Sequence, residues 1–106
     1  MQIVSTSFIS GKELETLSLV CGSVVHSKNF GKDFLAGLKS FVGGELKPYT
    51  DMTNEAVKEA TERMITEAKA LGADAVIHVR YESQQAKVEL APAMKVLAYG
   101  TAVKFI

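Results

Sequence analysis

The chain is short of almost everything that would announce an activity. Its 106 residues include one cysteine, two prolines and no tryptophan, and 12 Lys plus Arg are balanced by 12 Asp plus Glu. The lone Cys21 excludes an internal disulfide framework, and a reducing, cytoplasmic location follows as the default. With no basic surplus to neutralise a phosphate backbone, nucleic acid is not an expected partner. The same balance removes the long-range repulsion between copies, which permits self-association. The N-terminus, MQIVSTSFISGKE, has no basic segment followed by an apolar run, so it does not read as a secretory signal. The longest apolar stretch, Leu17 to Val25, is interrupted by Ser18, Gly22 and Ser23. It falls far short of the ~20 residues that span a bilayer, and no membrane partner is expected. Repeats, low-complexity tracts and linkers are lacking too, so residues 1–106 are expected to form one domain, burying about 65% of the surface the unfolded chain exposes.

What is present is concentrated between Thr50 and Glu82. Val57, Ala60, Met64, Ala68 and Leu71 recur at steps of three and four and predict the apolar stripe of a helix of about 20 residues, ~30 Å long. Glu55, Lys58, Glu59, Glu62, Arg63 and Lys69 fall on its other face, where Glu59 and Arg63 at i, i+4 read as solvated surface. Thr50, Asp51 or Thr53 is expected to cap it. Gly72 stands where a left-handed C-terminal residue is wanted, and from Ala75 to Val79 the apolar period shortens from 3.6 towards 2, predicting a strand from Asp74 to Glu82.

The rest follows in order. Ile3 to Phe8 predicts a short strand ended by the Ser10-Gly11 turn. Leu14 to Val25 predicts a longer one, with Leu17, Leu19, Cys21 and Val25 on one face and Thr16, Ser18, Val20 and Val24 on the other. Gly22 is then a bulge or a point of close approach. Phe30, Phe34, Leu38 and Phe41 predict a short helix stopped by Gly43-Gly44, and Glu45 to Tyr49 a loop. After the strand to Glu82, SQQAKVELAP reads as an irregular hairpin connection, because Pro92 cannot donate to a ladder. Ala93 to Ile106 predicts the last strand, with Met94, Val96, Ala98 and Ala102 on one face and Leu97, Tyr99, Val103 and Phe105 on the other. Neither face looks wet. Two helices in one layer cover one side of such a sheet, so a second copy of the chain is the expected cover for the other side, and a closed ring would also pair the free strand edges.

Five segments in order, the strand glycine Gly22, KDFLAGL at 32–38, FVGGELKPY at 41–49, LGADAV at 71–76 and YGTAV at 99–103, resemble the YbjQ-like family of small bacterial proteins. The family carries the label "putative heavy-metal-binding domain". The resemblance implies an α+β subunit of β-α-β-β, dodecin-like form: a mainly antiparallel small sheet on one long and one short helix. It further implies a β/α-propeller-like ring, with a homopentamer as the partner arrangement and a metal ion as the cofactor in view.

The chemistry in the residues themselves is sparse. Cys21, His26 and His78 are the soft or borderline metal donors apart from methionine, and Cys21 and His26, five apart in a strand, point to opposite faces. No C-x-x-C or H-x-x-x-H spacing occurs, so a typical three-donor site within one subunit is disfavoured against a buried free thiol and ordinary strand histidines. One His26 or Glu45 per subunit would recur around a ring axis, which leaves a metal site to the assembly. No catalytic residue is assigned: Cys21 has no charged neighbour in sequence to activate it. Among carboxylates near element ends, Asp33 and Glu45 read as solvated, Asp51 as a helix cap and Asp74 as a turn residue. Gly43, Gly44 and Tyr49 could frame a small-molecule site at a subunit boundary or be a helix stop beside a packed aromatic. Two functions therefore stand: an oligomeric, non-enzymatic binding or scaffold protein, or an enzyme with a site shared between subunits near Gly43 to Tyr49. A flavin carrier, suggested by dodecin shape, lacks a Trp to stack on the ring.

Overall fold

The structure, a computed structural model, describes residues 1–27, 47–88 and 91–106. Its elements in chain order are β1 (Gln2–Ile3), β2 (Leu14–Ser27), α1 (Lys47–Ala70), β3 (Ala75–Val88) and β4 (Ala91–Phe105). The strands form one mixed sheet in the order β1-β3-β4-β2, with β1 parallel to β3 and the other pairings antiparallel. The fold is therefore α+β, with α1 on one face of a four-stranded sheet. The short helix expected from Phe30 to Val42, with its Gly43-Gly44 stop, lies outside the described residues.

Helix α1 buries Met52, Ala56, Ala60, Met64 and Ala68, each four residues from the next. The expected stripe was one step off at both ends: Val57 is half-buried and Leu71 is 46% exposed. Alanine explains the difference, because three small residues on the buried line let the helix axis approach the sheet, and a line of larger side chains would hold it away. Gly22 completes that approach. A Cβ there would overlap the carbonyl oxygen of Ala60 and the amide nitrogen of Met64 and stand 2.8 Å from Cβ of Arg63. Close approach is thus the reading of Gly22 that holds. The bulge lies elsewhere, between Thr16 and Ser18, and it turns Leu17 towards the helix-side core although alternation placed it with Leu19 and Cys21.

The start of α1 also differs from expectation. The helix begins at Lys47, so Pro48 sits in the first turn, where a missing N–H costs nothing, and Asp51 is an exposed residue inside the helix and not its cap. Its end follows the prediction. Gly72 has φ +75°, its N–H bonds to the Lys69 carbonyl at 3.0 Å, and the Ala73 N–H bonds to the Ala68 carbonyl at 3.1 Å. These are the paired bonds of a Schellman stop.

At the N-terminus the strand is shorter than expected, Gln2–Ile3 in place of Ile3 to Phe8. The cause is in β3, where His78 and Val79 together face Gly100 and His78 takes φ 56°. That bulge offsets the ladder, and the following residues reach β3 through single bonds: His78 N–H to the Thr6 carbonyl at 2.8 Å and Val79 N–H to the Val4 carbonyl at 3.0 Å.

Within SQQAKVELAP the described residues, 83–88 and 91–92, form a ladder and not an irregular connection. β3 and β4 stay paired from Arg80↔Tyr99 out to Val88↔Ala91. Among the described residues the pairing of β2 with β4 runs to Ser27↔Ala93, one position short of Pro92. Strands of 14 and 15 residues make an elongated body of 54 × 29 × 17 Å. Its radius of gyration is 17.1 Å, against about 13 Å for a compact chain of this length.

The two sheet faces are unlike. Under α1 lie Val20, Val24, Val76, Val96, Ala98 and Ala102, all buried. On the other side Ile9 folds back over Ala75 and Val103, with Val4, Leu14, Ile77 and Phe105 around them. Beyond that small cluster Leu19 is 66% and Val25 58% exposed, with Cys21 exposed between them.

Candidate functional site

Alternation along β2 puts His26 on the α1 side with Val24, and the close approach at Gly22 brings the middle of the helix within reach. His26 Nε2 lies 2.5 Å from Oε2 of Glu59, whose Oε1 accepts a bond of 3.1 Å from Nη2 of Arg63. Arg63 Nη1 in turn donates to the Ser23 carbonyl at 2.6 Å. The hydrogen bond with His26 holds the Glu59 carboxyl below the usual carboxylate range, and the charge of Arg63 acts in the same direction. Glu59 and Arg63 are thus more than solvated surface, because they tie α1 to β2. A second tie, Thr61 Oγ1 to the Tyr81 hydroxyl at 2.8 Å, joins α1 to β3. Both are satisfied brackets, with each polar group already partnered.

The donors singled out from sequence do not converge. Cys21 is exposed on the face away from α1, beside Tyr99, and is not the buried thiol expected. His26 faces the helix, so the opposite orientation of these two residues is as predicted. His78 is no ordinary strand histidine but the left-handed residue of the β3 bulge, at the far side of the sheet. Asp74 accepts the Phe105 N–H at 2.9 Å through Oδ2 and so ties the turn after α1 to the end of β4. Asp33, Gly43, Gly44 and Glu45 lie outside the described residues, and of Tyr49 only the helical backbone is described. Among the described residues no three of His, Cys, Asp and Glu are grouped to hold a metal ion. One His and one carboxylate, already bonded to each other, fall short of the usual three protein donors.

A groove of about 430 Å³ is open beside the outer half of the hairpin, lined by Glu82, Ser83, Gln84, Lys95 and Leu97. Its volume suits a small ligand, but its walls are polar and it is closed on few sides. Sequence reasoning missed it because it depends on β3 and β4 remaining paired past Glu82. The alternation of VRYESQQAKV, read as strand and not as loop, is the signal that would have found it.

Comparison with known proteins then places the chain. The family model described as "Putative heavy-metal-binding", that of the YbjQ-like proteins, matches residues 1–106. The chain belongs to this family. A UPF0145 protein of Clostridium novyi is 58% identical over 106 residues, covering 100% of both chains. One from Alkaliphilus metalliredigens is 52% identical over the same span. The family reaches the archaea: a UPF0145 protein of Archaeoglobus fulgidus is 50% identical across 96% of this chain and 93% of its own. A solved structure from Pediococcus pentosaceus, a protein of unknown function in the DUF74 family, superposes with a TM-score of 0.73 over 100% of this chain and 98% of that one. At 17% identity it attests to the fold alone. The family label names a heavy metal, yet the described donors of this YbjQ-like protein are not grouped to hold one.

Proposed function

We propose that this YbjQ-like protein is a homo-oligomeric, non-enzymatic binding protein whose ligand sites form where subunits meet. One observation carries the reading: the sheet face away from α1 leaves Leu19 66% and Val25 58% exposed, on a strand neighbouring one wall of the polar groove at Lys95 and Leu97. Apolar side chains set in a row on a flat strand, with no charged residue between Thr16 and Val25, are poorly placed in water. A second copy is the occupant that the balanced charge permits. Closing the groove with a neighbouring subunit would convert an open, half-walled depression into an enclosed site. Five copies is the number that the family resemblance implies.

A metal ion is the ligand class that the family label favours, and it requires donors from more than one subunit. Light scattering at micromolar concentration tests the assembly, and a monomeric mass refutes it. Calorimetric titration of the assembled protein with zinc, copper and nickel ions tests the metal, with His26→Ala and Cys21→Ala as the donor controls. No heat of binding at tens of micromolar would leave the small-molecule form of the reading and remove the metal form.

A further inference from the structure

The register of β3 against β4 fixes the floor of the groove lined by Glu82, Ser83, Gln84, Lys95 and Leu97. Glu82 faces Leu97 and Gln84 faces Lys95 across the ladder, all four on the sheet face away from α1. The carboxylate and the ammonium therefore stand on one diagonal of a four-residue tile, and the leucine and the amide on the other. Diagonal neighbours on a sheet face lie ~7–8 Å apart, so two long side chains can converge on one small molecule between them. Glu82 and Lys95 are exposed, and Leu97 is half-buried. Among the described residues neither charge is held in an ion pair. The Glu82 carboxylate takes only a long bond, 3.5 Å, from the Tyr99 hydroxyl.

One charge of each sign decides what such a groove takes. A single carboxylate beside a lysine ammonium is a poor seat for a metal ion, which wants several donors and no neighbouring cation. A phosphate or other simple anion meets Glu82 as a like charge, and a simple organic cation meets Lys95 as one. A molecule carrying an ammonium and a carboxylate on one apolar skeleton meets the whole tile favourably. Its ammonium lies against Glu82, its carboxylate against Lys95 and the Gln84 amide, and its skeleton against Leu97. An exposed glutamate–lysine contact is worth little, so the ligand displaces any such contact between the two at small cost.

We propose that this groove binds a zwitterionic amino acid with an apolar side chain, held by Glu82 at the ammonium and by Lys95 at the carboxylate. The inference rests on the small-molecule form of the reading above and names its ligand. Tyr99 is then a positioning residue, because its hydroxyl engages Oε1 of Glu82 and leaves Oε2 for the ligand.

Equilibrium dialysis of the full chain against labelled L-leucine, L-valine and L-phenylalanine at neutral pH and low salt tests the ligand, with the N-acetyl and the amide form of each as singly capped probes. At least one of the three is expected to bind in the millimolar range. Capping either end should weaken its binding at least about tenfold, the loss of one charge-assisted contact. Glu82→Gln should weaken the free amino acid by a similar factor and the N-acetyl form no further; Lys95→Gln should do the same to the free amino acid and spare the amide form. Both positions are exposed, and an unchanged circular dichroism spectrum verifies that the variants fold. If protein of assembled mass retains none of the three, or retains them equally after capping and in both variants, the inference is overturned and the oligomeric reading stands. A monomeric mass by light scattering removes the oligomeric reading, and charge-dependent retention by that monomer upholds the ligand.

Discussion

The two faces of the sheet are built from the same strands and nearly the same residue types, yet among the described residues one is dry and the other is largely bare. On the α1 side Val20, Gly22 and Val24 are buried; one residue along, Leu19, Cys21 and Val25 are exposed. Alternation guarantees two faces but not two covers. The helix side is closed because small residues meet there: Ala56, Ala60 and Ala68 on α1 against Gly22 on β2. Among the described residues the far side has only the fold-back around Ile9 as a lid.

The strongest way to break this contrast is to push the helix off. Gly22→Val places side-chain atoms where the backbone of Ala60 and Met64 already lies, and should cost at least about 3 kcal/mol, the upper part of the range for overpacked cores. Denaturant unfolding followed by circular dichroism measures it, and unchanged stability would mean that the helix does not lie so close. Next comes Met64→Ala, which removes a fully buried side chain from the same contact and should cost about 3 kcal/mol. Its midpoint in urea should fall with little change in slope.

The bare face should answer differently. Leu19→Ser with Val25→Ser should change the stability of a single subunit by less than about 0.5 kcal/mol per site, since both side chains are exposed within it. The assembled mass measured by light scattering should nonetheless drop. Intact assembly in that double variant would break the proposal that this face is covered by another copy.

The smallest effect is electrostatic and sharpens the helix side. Glu59 titrates below its ordinary range in the folded chain, so its contribution to stability is complete above the ordinary carboxylate range and fades as acid carries the pH down through the lowered value. Glu59→Gln should therefore lower stability slightly at neutral pH, leave it close to the parent's in acid, and so flatten the acid limb of stability against pH. An identical acid limb in both proteins would mean that the bracket to His26 and Arg63 contributes nothing in solution.

Much of the fold was legible in the residues. The helix and its glycine stop, the long strand from Leu14, the two faces of β4 and the opposite orientation of Cys21 and His26 follow from local periodicity and turn chemistry, which act within a few residues. The errors share a cause. The α1 stripe was drawn through Leu71 and not Met52, since the helix start was hidden behind Pro48, a residue compatible with both a loop and a first turn. The stretch from Ser83 to Pro92 reads as irregular because a proline next to a polar run resembles a loop, whereas its described residues pair out to Val88↔Ala91. The apolar neighbours of Cys21 predict a buried thiol, and the described residues leave it exposed.

By itself the sequence determined the chain's family, the long helix with its glycine stop and the long strands, because those depend on short-range pattern and on composition. Tertiary structure alone decided two things: that Glu59 and Arg63 reach back to β2, and that Gly22 is a seat for the helix. Each of these depends on residues dozens of positions apart meeting across a sheet, and no local pattern encodes that distance.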